Sequence, residues 1–235
     1  MSRSAWVATR KGLFELQRSA GGTWALARAS FLGEPVSMLL PPAPGDGRML
    51  AALNLGHFGV KLHRSDDAGR TWQETTCPAY PEQPADAQAH VNQMGVNAPA
   101  WKLVQVWSLA RQGGRVWAGT LPGGLFASDD FGSTWVLNRA LWDRPERLEW
   151  FGGGYDVPGI HSLCPHPQRP DELLLGISCG GAWATRDGGG AWALSAQGMK
   201  ADFMPPEQAE DPNIQDPHLI VRCPARPERL WCQHH

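Results

Sequence analysis

Apolar and polar residues alternate in short runs along most of this chain, and Gly- and Pro-rich turns separate the runs. The segments 106–110, 115–120 and 125–127 are three such runs in succession. A period of two is the spacing of a β-strand with one buried face. The pattern therefore predicts an all-β fold built from many short strands.

One eight-residue segment recurs three times at the turns between these runs, and we call it the repeated turn. Its frame is Ser/Thr-x-Asp-x-Gly-x-Thr/Ala-Trp, and its copies span 65–72, 128–135 and 185–192. The closing tryptophans are 63 and then 57 residues apart. A fixed period of this kind indicates a repeat protein in which each copy belongs to one supersecondary unit.

The residue types of the repeated turn have structural explanations. Asp and Ser side chains bond the amides of a turn, Gly supplies a positive φ, and Trp covers the end of a hairpin. A weaker copy ends at Trp24. We therefore predict structural roles for Ser65, Asp67, Gly69, Trp72, Ser128, Asp130, Gly132, Trp135, Thr185, Asp187, Gly189 and Trp192.

Each repeat contains four short strands, with the repeated turn between the third and the fourth, and this is the pattern of a β-propeller blade. We expect a single propeller domain over 1–235, with blades at about 4–30, 36–76, 104–140, 158–197 and a partial fifth at 216–235. Because propellers close with about 4–8 whole blades, we expect a fragment of a six- or seven-bladed ring. The alternative is a small ring in which the N-terminal strands complete the last blade.

The repeated turns resemble the Asp-box, or BNR repeat, of sialidases, xyloglucanases, sortilin-type receptors and a photosystem-assembly factor. The blade segments 117–120 and 123–128 are similar to the WD/YVTN/BNR-like group, which is often labelled glycosyl hydrolase or exo-α-sialidase. The resemblance covers essentially the whole chain and implies a β-propeller. It also implies that the repeated turns are structural and lie away from the catalytic face.

Composition argues against several classes of function. The 21 Lys+Arg and 23 Asp+Glu are nearly balanced and form no basic stripe, so we expect no nucleic-acid partner. No apolar run approaches the length of a membrane span, and the first residues lack the apolar core of a signal peptide. The five cysteines are odd in number and lack CxxC spacing, which predicts free thiols and a cytoplasmic protein.

Three long insertions join the fourth strand of one unit to the first strand of the next, at 77–105, 138–158 and 198–216. In a blade these connections share a face with the turns between strands two and three, and the repeated turns lie on the opposite face. Long loops gathered on a rigid scaffold are where binding and catalytic residues concentrate. We therefore expect the functional site on the insertion face.

Two histidines occupy the same place in successive units of the repeat. His161 and His218 are 57 residues apart at the start of the innermost strand, and Asp156 and Asp216 shortly precede them. Imidazoles and carboxylates transfer protons, and glycosidases use paired carboxylates. With Glu149 from the second insertion, these five are the candidate catalytic residues. A purely structural role, in which the histidines bond loop carbonyls, stays open.

A metal site is a second use for histidines on this face. The candidate ligands are His57, His161, His218 and His234, with His235 as a further candidate. A divalent metal is the one cofactor that these histidines suggest. No compact motif such as HExxH accompanies them.

Aromatic and basic residues supply candidate ligand contacts. Trp101, Trp107 and Trp150 offer flat apolar faces for sugar rings, and Arg10 and Lys11 lie in a turn on the same face. The alternative for the tryptophans is packing on the surface of the propeller.

The resemblance suggests glycoside hydrolase activity, but the residues do not support the standard sialidase mechanism. That mechanism uses a Tyr nucleophile and three Arg, whereas this chain has two Tyr and lacks the Arg-Ile-Pro motif. The leading hypothesis is a carbohydrate-active propeller. One alternative is a non-catalytic propeller that binds a protein or a glycan, and another is a metal-dependent enzyme that uses the histidine cluster.

Overall fold

The structure, a computed structural model, describes residues 3–88 and 90–235. Strands dominate these residues and form five antiparallel sheets, which confirms the prediction of an all-β fold with propeller blades. The chain divides into two compact units, the first comprising Met1–Cys77 and Val104–Val106, the second Pro78–Leu103 and Trp107–His235. None of the helices in the described ranges has the length and apolar character that crossing a membrane requires.

The first unit holds two sheets. Their strands, in chain order, are β1 (Ser4–Thr9), β2 (Gly12–Arg18) and β3 (Trp24–Ser30), then β4 (Val36–Leu40), β5 (Met49–Asn54), β6 (Val60–Ser65) and β7 (Gln73–Thr75). A 3-10 helix, Gly56–Phe58, joins β5 to β6.

The second unit holds three sheets and, apart from the first two residues of β8, all of their strands. These strands are β8 (Gln105–Gln112), β9 (Arg115–Leu121), β10 (Leu125–Ser128) and β11 (Val136–Leu137); β12 (Ile160–Pro165), β13 (Leu173–Ile177), β14 (Gly181–Thr185) and β15 (Ala193–Leu194); and β16 (Pro217–Arg222) and β17 (Leu230–His234). The insertions carry the helices α1 (Ala85–Gln88) and α2 (Arg139–Trp142) and the 3-10 helix Pro145–Glu149.

Each four-stranded sheet pairs its strands in chain order, which is the up-and-down order of a propeller blade. The first sheet differs from the four strands expected in every unit, because it contains only β1, β2 and β3 among the described residues. The sequence of β1, with Trp6 and Thr9, matches that of β9, with Trp117 and Thr120. Strand β1 therefore corresponds to the second strand of a blade.

Every repeated turn is closed by one aspartate carboxylate. In the first copy the Ser65 hydroxyl donates to Asp67 Oδ1 at 2.8 Å and accepts the Gly69 N–H at 2.8 Å. The Thr71 N–H donates to the same Oδ1 at 2.9 Å, and its hydroxyl donates to Oδ2 at 2.7 Å. The carboxylate thus satisfies amides that have no strand partner at the turn.

The other two copies repeat this network. Asp130 accepts from the Ser128 hydroxyl and from the N–H and hydroxyl of Thr134, and Asp187 accepts from the hydroxyl of Thr185 and the N–H of Ala191. All three turns therefore share the hydroxyl and amide bonds to Oδ1, and the third lacks the threonine hydroxyl bond because Ala191 takes that place.

The residue before each turn glycine also has a positive φ. Ala68 has φ 57° and Phe131 has φ 58°, although both carry a side chain. At the glycine itself a side chain is excluded, because a Cβ on Gly69 would lie 2.8 Å from the Trp6 ring. Two successive left-handed residues make the tight turn that places the closing tryptophan over its hairpin.

The largest core cluster of the second unit gathers around tryptophans. Trp117, Trp150, Trp183 and Trp192 are each at most 6% exposed and pack with Leu, Ile and Ala side chains of β9 to β15. The closing residue Trp192 also donates its indole N–H to Asn138 Oδ1 at 3.0 Å.

We expect the change Trp192→Ala to destabilise the chain by about 3–5 kcal/mol, because it leaves a cavity in this core and removes a partly buried hydrogen bond. The matched control is Trp24→Ala, since Trp24 closes the weaker copy and is 44% exposed. That change should alter the free energy of unfolding by less than about 1 kcal/mol. Urea denaturation measures both, and equal losses in the two variants would contradict the structural assignment.

We expect stability to fall steeply in acid because of the turn carboxylates. The Thr71 and Thr134 hydrogen bonds lower the pKa of Asp67 and of Asp130 to about 2, below the unfolded value of about 3.9. A lowered folded pKa gives stability that is full above about pH 4 and is lost as pH falls towards 2. Melting temperatures across this range should fall less in Asp130→Asn than in wild type, and parallel curves would refute this explanation.

Candidate functional site

His161 and His218 lie at β-bulges at the start of innermost strands. The pairing of β12 with β13 shifts register between Ile160 and Ser162, and that of β16 with β17 shifts between Pro217 and Leu219. Each histidine is the extra residue of its bulge, and bulges redirect side chains. The two imidazole centroids are 5.5 Å apart, so the structure brings together the pair that the 57-residue offset aligned.

Asp216 lies at the centre of this group, immediately before β16. Its side chain is 4% exposed, and its Oδ2 is 3.0 Å from His218 Nε2. Its Oδ1 is 3.8 Å from His161 Nε2 and accepts the backbone N–H of Cys179 at 3.3 Å. Two blades and the turn between β13 and β14 therefore converge on one carboxylate.

The charge of this carboxylate is stabilised in place. Burial raises the pKa of Asp216, but the imidazoles of His161 and His218 and the Cys179 amide outweigh burial, and the net pKa is lowered. Asp216 is therefore an ionised acceptor at neutral pH. The neighbouring Cys179 thiol has a pKa raised to about 12 by burial and by the Asp216 charge, so it stays protonated.

Backbone contacts fix the orientation of the surrounding histidines. His161 Nδ1 is 2.8 Å from the carbonyl oxygen of His218, and the Asp216 N–H donates to His234 Nε2 at 3.3 Å. The His235 N–H in turn donates to the Asp216 carbonyl at 3.3 Å. Burial lowers the pKa of His234.

Six rings run past the carboxylate in one continuous series, which we call the aromatic row. Successive ring centroids are 5.2 to 5.7 Å apart. In order the members are Tyr155, Trp107, His161, His218, His235 and Phe203. The two ends of the row are each 43% exposed, so the row presents aromatic surface on both sides of a polar centre.

An open cleft of about 260 Å³ adjoins the Phe203 end of the row, and we call it the Asp216 cleft. Its lining includes Asp216, His235, Phe203, Cys179 and Gly153. A side chain at Gly153 would obstruct it, since a Cβ there would lie 2.9 Å from Asp216 Oδ2. The glycine therefore leaves the carboxylate accessible from the cleft.

Other hollows in the second unit are less suited to a ligand. The enclosed cavity beside Gly123 and Trp150 measures about 20 Å³, which holds about one water molecule. A groove of about 540 Å³ lies among the repeated turns, but its Arg115 is already paired with Asp129 at 2.7 and 3.0 Å and its Asn138 bonds Gly189. Of these three spaces, the Asp216 cleft combines an accessible space with a buried charge.

Two of the predicted carboxylates lie apart from these contacts. Glu149 accepts the Gln93 N–H at 2.8 Å and lies 3.5 Å from His90, so it joins the first insertion to the second. Asp156 is exposed in the loop that carries Tyr155.

The predicted tryptophans divide into three environments. Trp107 is half-buried within the aromatic row. Trp101 packs edge-on against Trp142 at 5.1 Å, with the Arg147 guanidinium over its ring. Trp150 is 2% exposed and donates to Asn213, so its ring faces the core.

The remaining predicted residues lie in the first unit. Arg10 and Lys11 are exposed in the turn between β1 and β2, and His57 is exposed in the 3-10 helix that follows β5. The structure places His161, His218 and His234 together around Asp216 within the second unit.

Several residues of the site were absent from the predicted set. From the sequence Cys179 is predicted only to be a free thiol, and Gly153 and Phe203 have no predicted role, yet all three line the cleft. Cys179-Gly180-Gly181 occupies the same turn of its blade as Pro122-Gly123-Gly124, and this alignment was the available signal for Cys179. Nothing in the repeat marks Phe203, because it lies in an insertion.

Comparison with known proteins supports the fold. No protein-family model and no curated protein matches the chain. Among solved structures, a GH74 enzyme from Niastella koreensis is 16% identical with a TM-score of 0.54, over 100% of this chain and 32% of that one. The GH74 xyloglucanase from Xanthomonas campestris is 15% identical with a TM-score of 0.56, over 98% and 33%.

Sqt1 from Chaetomium thermophilum is 14% identical with a TM-score of 0.53, over 99% of this chain and 51% of that one. The chain thus spans about a third of the length of the two GH74 structures. At these identities the likeness shows the fold, a β-propeller.

We expect Asp216→Ala to destabilise the chain by about 1–3 kcal/mol, because it leaves the Cys179 N–H and the His218 imidazole without their acceptor. Asp156→Ala is the control, since Asp156 is exposed in the adjacent insertion and its loss should change stability by less than about 0.5 kcal/mol. Thermal and urea denaturation at pH 7 measure the difference. Equal stability of the two variants would show that Asp216 does not organise the site.

Proposed function

We propose that this chain is part of a carbohydrate-active β-propeller protein, and that sugar binds in the Asp216 cleft and along the aromatic row. The observation that carries the proposal is the ionised, 4%-exposed carboxylate of Asp216 between two exposed aromatic ends. Sugars present hydroxyl groups at their edges and C–H groups on their faces. A charged acceptor and aromatic rings together suit both kinds of surface.

The dimensions support a small ligand. The cleft volume of about 260 Å³ is near the lower end of the usual range for ligand pockets, about 300–1,000 Å³. Phe203 and His235, whose ring centroids are 5.7 Å apart, line the cleft together with the buried Asp216 carboxylate. We infer that one sugar ring occupies the cleft and that further rings of an oligosaccharide extend towards Tyr155.

Hydrolysis would require a division of roles between two carboxylic acids. Because its pKa is lowered, Asp216 suits the role of base or nucleophile rather than that of proton donor. The exposed Asp156, on the loop with Tyr155, is our candidate for the acid. His161 and His218 position the Asp216 charge, and Glu149 stays a structural link between insertions in this proposal.

The repeat supports the same assignment. We infer that the three repeated turns are Asp-box turns of a BNR-type propeller, because in each copy the Ser or Thr hydroxyl accepts the glycine N–H at the same place. We also infer that residues 1–235 belong to one propeller domain in the cytoplasm. Two similar structures are GH74 enzymes, one a xyloglucanase, so fragments of xyloglucan are among the first ligands to examine.

A panel of oligosaccharides, including fragments of xyloglucan, tests the proposal by calorimetry and by release of reducing ends. We expect binding by wild type and a loss of roughly two- to tenfold in Phe203→Ala and Tyr155→Ala, since stacking on one ring contributes about 0.5–1.5 kcal/mol. Phe58→Ala is the matched control, because Phe58 is an exposed aromatic residue of the first unit. It should bind as wild type does.

The outcomes separate the alternatives. Binding with release of reducing ends that is lost in Asp216→Asn supports a glycoside hydrolase. Binding without release supports a glycan-binding propeller. If no carbohydrate binds, or if Phe58→Ala weakens binding as much as Phe203→Ala, the cleft is not a sugar site and a protein partner becomes the leading alternative.

A further inference from the structure

The centre of the aromatic row has the donor set of a metal site. One carboxylate oxygen of Asp216 and one ring nitrogen each of His218 and His235 lie within 4.8 Å of one another. Two imidazoles and one carboxylate are a common ligand set for Zn²⁺ and for other divalent first-row transition metals. We infer that Asp216, His218 and His235 bind one divalent transition-metal ion, with His161 as a fourth ligand.

The tautomer of His161 supports this assignment. Its Nδ1 lies 2.8 Å from the His218 carbonyl oxygen, which only accepts hydrogen bonds, so Nδ1 carries the proton. Its Nε2 is therefore the nitrogen on the Asp216 side, 3.8 Å from Oδ1, where either a proton or a metal ion can lie between the nitrogen and the carboxylate oxygen.

His161 also has the outer contact that metal-bound histidines usually have. A ligating imidazole normally donates its second ring N–H to a carbonyl or carboxylate, which fixes the ring and leaves the other nitrogen for the metal. The His218 carbonyl already performs this role for His161. The β-bulge that contains His218 therefore supplies both a ligand and the orientation of its neighbour.

The atoms of Asp216, His218 and His235 lie within 4.8 Å of one another, whereas His161 approaches the second oxygen of Asp216, so a shared metal requires the side chains to move together. Zn–N and Zn–O bonds of about 2.0–2.2 Å in a tetrahedron place ligand atoms about 3.3–3.6 Å apart. Asp216 Oδ2 and His218 Nε2 are 3.0 Å apart, and Asp216 Oδ1 and His161 Nε2 are 3.8 Å apart. A metal ion would take the place of the proton that Asp216 and His218 share.

This set differs from the one expected from the sequence. His57 belongs to the first unit, and His234 already accepts the Asp216 N–H through Nε2. Asp216 and His235 take their places in the proposed site. The site shares the Asp216 cleft with the proposed sugar site but rests on its own geometry, so metal binding is tested without any carbohydrate.

The test uses the full chain without an affinity tag, treated with chelator and then titrated with Zn²⁺ by calorimetry and with Co²⁺ by visible absorption. We expect one equivalent to bind, with the intense d–d bands of four-coordinate Co²⁺. Asp216→Asn, His218→Ala and His161→Ala should each weaken binding by about 10- to 100-fold or more. His57→Ala is the matched control and should bind as wild type does.

His235→Ala keeps the test decisive if the other variants fold poorly, because His235 follows β17 and is exposed. A folded His235→Ala chain with at least roughly tenfold weaker binding supports the site. No binding by wild type, or equal binding by His235→Ala and His57→Ala, overturns it. Neither result bears on sugar binding, which is measured separately in the presence of chelator.

Discussion

The hydrogen bonds of a single carboxylate hold the end of each complete blade. In every repeated turn the aspartate accepts the hydroxyl before it and an amide after it, and the Ser or Thr before it accepts the glycine N–H. These glycine amides are buried, and a buried amide without an acceptor is costly. Because the turn is fixed, the closing tryptophan is placed over the hairpin, and the blade has one geometry.

The innermost strands of adjacent blades are joined by hydrogen bonds of serine hydroxyls. Ser108 donates to the Ile160 carbonyl at 2.7 Å, and Ser162 accepts the Ile220 N–H at 2.9 Å. One residue before Ser162, the strand bulges at His161. The register of adjacent blades therefore fixes where consecutive bulge histidines lie, and with them the environment of Asp216.

The repeat made the fold predictable, and it made part of the site predictable for the same reason. His161 and His218 are one repeat apart in the sequence, and each is the extra residue of a bulge at the start of an innermost strand. The role of Asp216 as the common acceptor required the side-chain packing of two blades and a neighbouring turn, and sequence spacing does not contain that information. Phe203 could not be anticipated at all, since an insertion follows no repeat.

Aromatic character alone does not separate a core residue from a surface residue. Trp150 and Trp107 are equally large and lie in or beside insertions, yet Trp150 bonds Asn213 in the core while Trp107 joins the aromatic row. The three-stranded first sheet follows from the repeat itself. The segment Ser4–Thr9 matches the second strand of a blade, so among the described residues this sheet lacks a strand at the first position.

The two proposals place different demands on the same carboxylate. Asp216 stays charged because imidazoles surround it, and its oxygens accept from donors on at least two sides. A metal ion would engage those oxygens together with the central imidazoles and leave Tyr155 and Phe203, the exposed ends of the row, for a sugar. Without a metal the same imidazoles have hydrogen-bonding capacity for sugar hydroxyls. The carboxylate and imidazoles at the centre of the aromatic row therefore determine the chemistry of the site, and the exposed rings at its two ends determine which ligand binds.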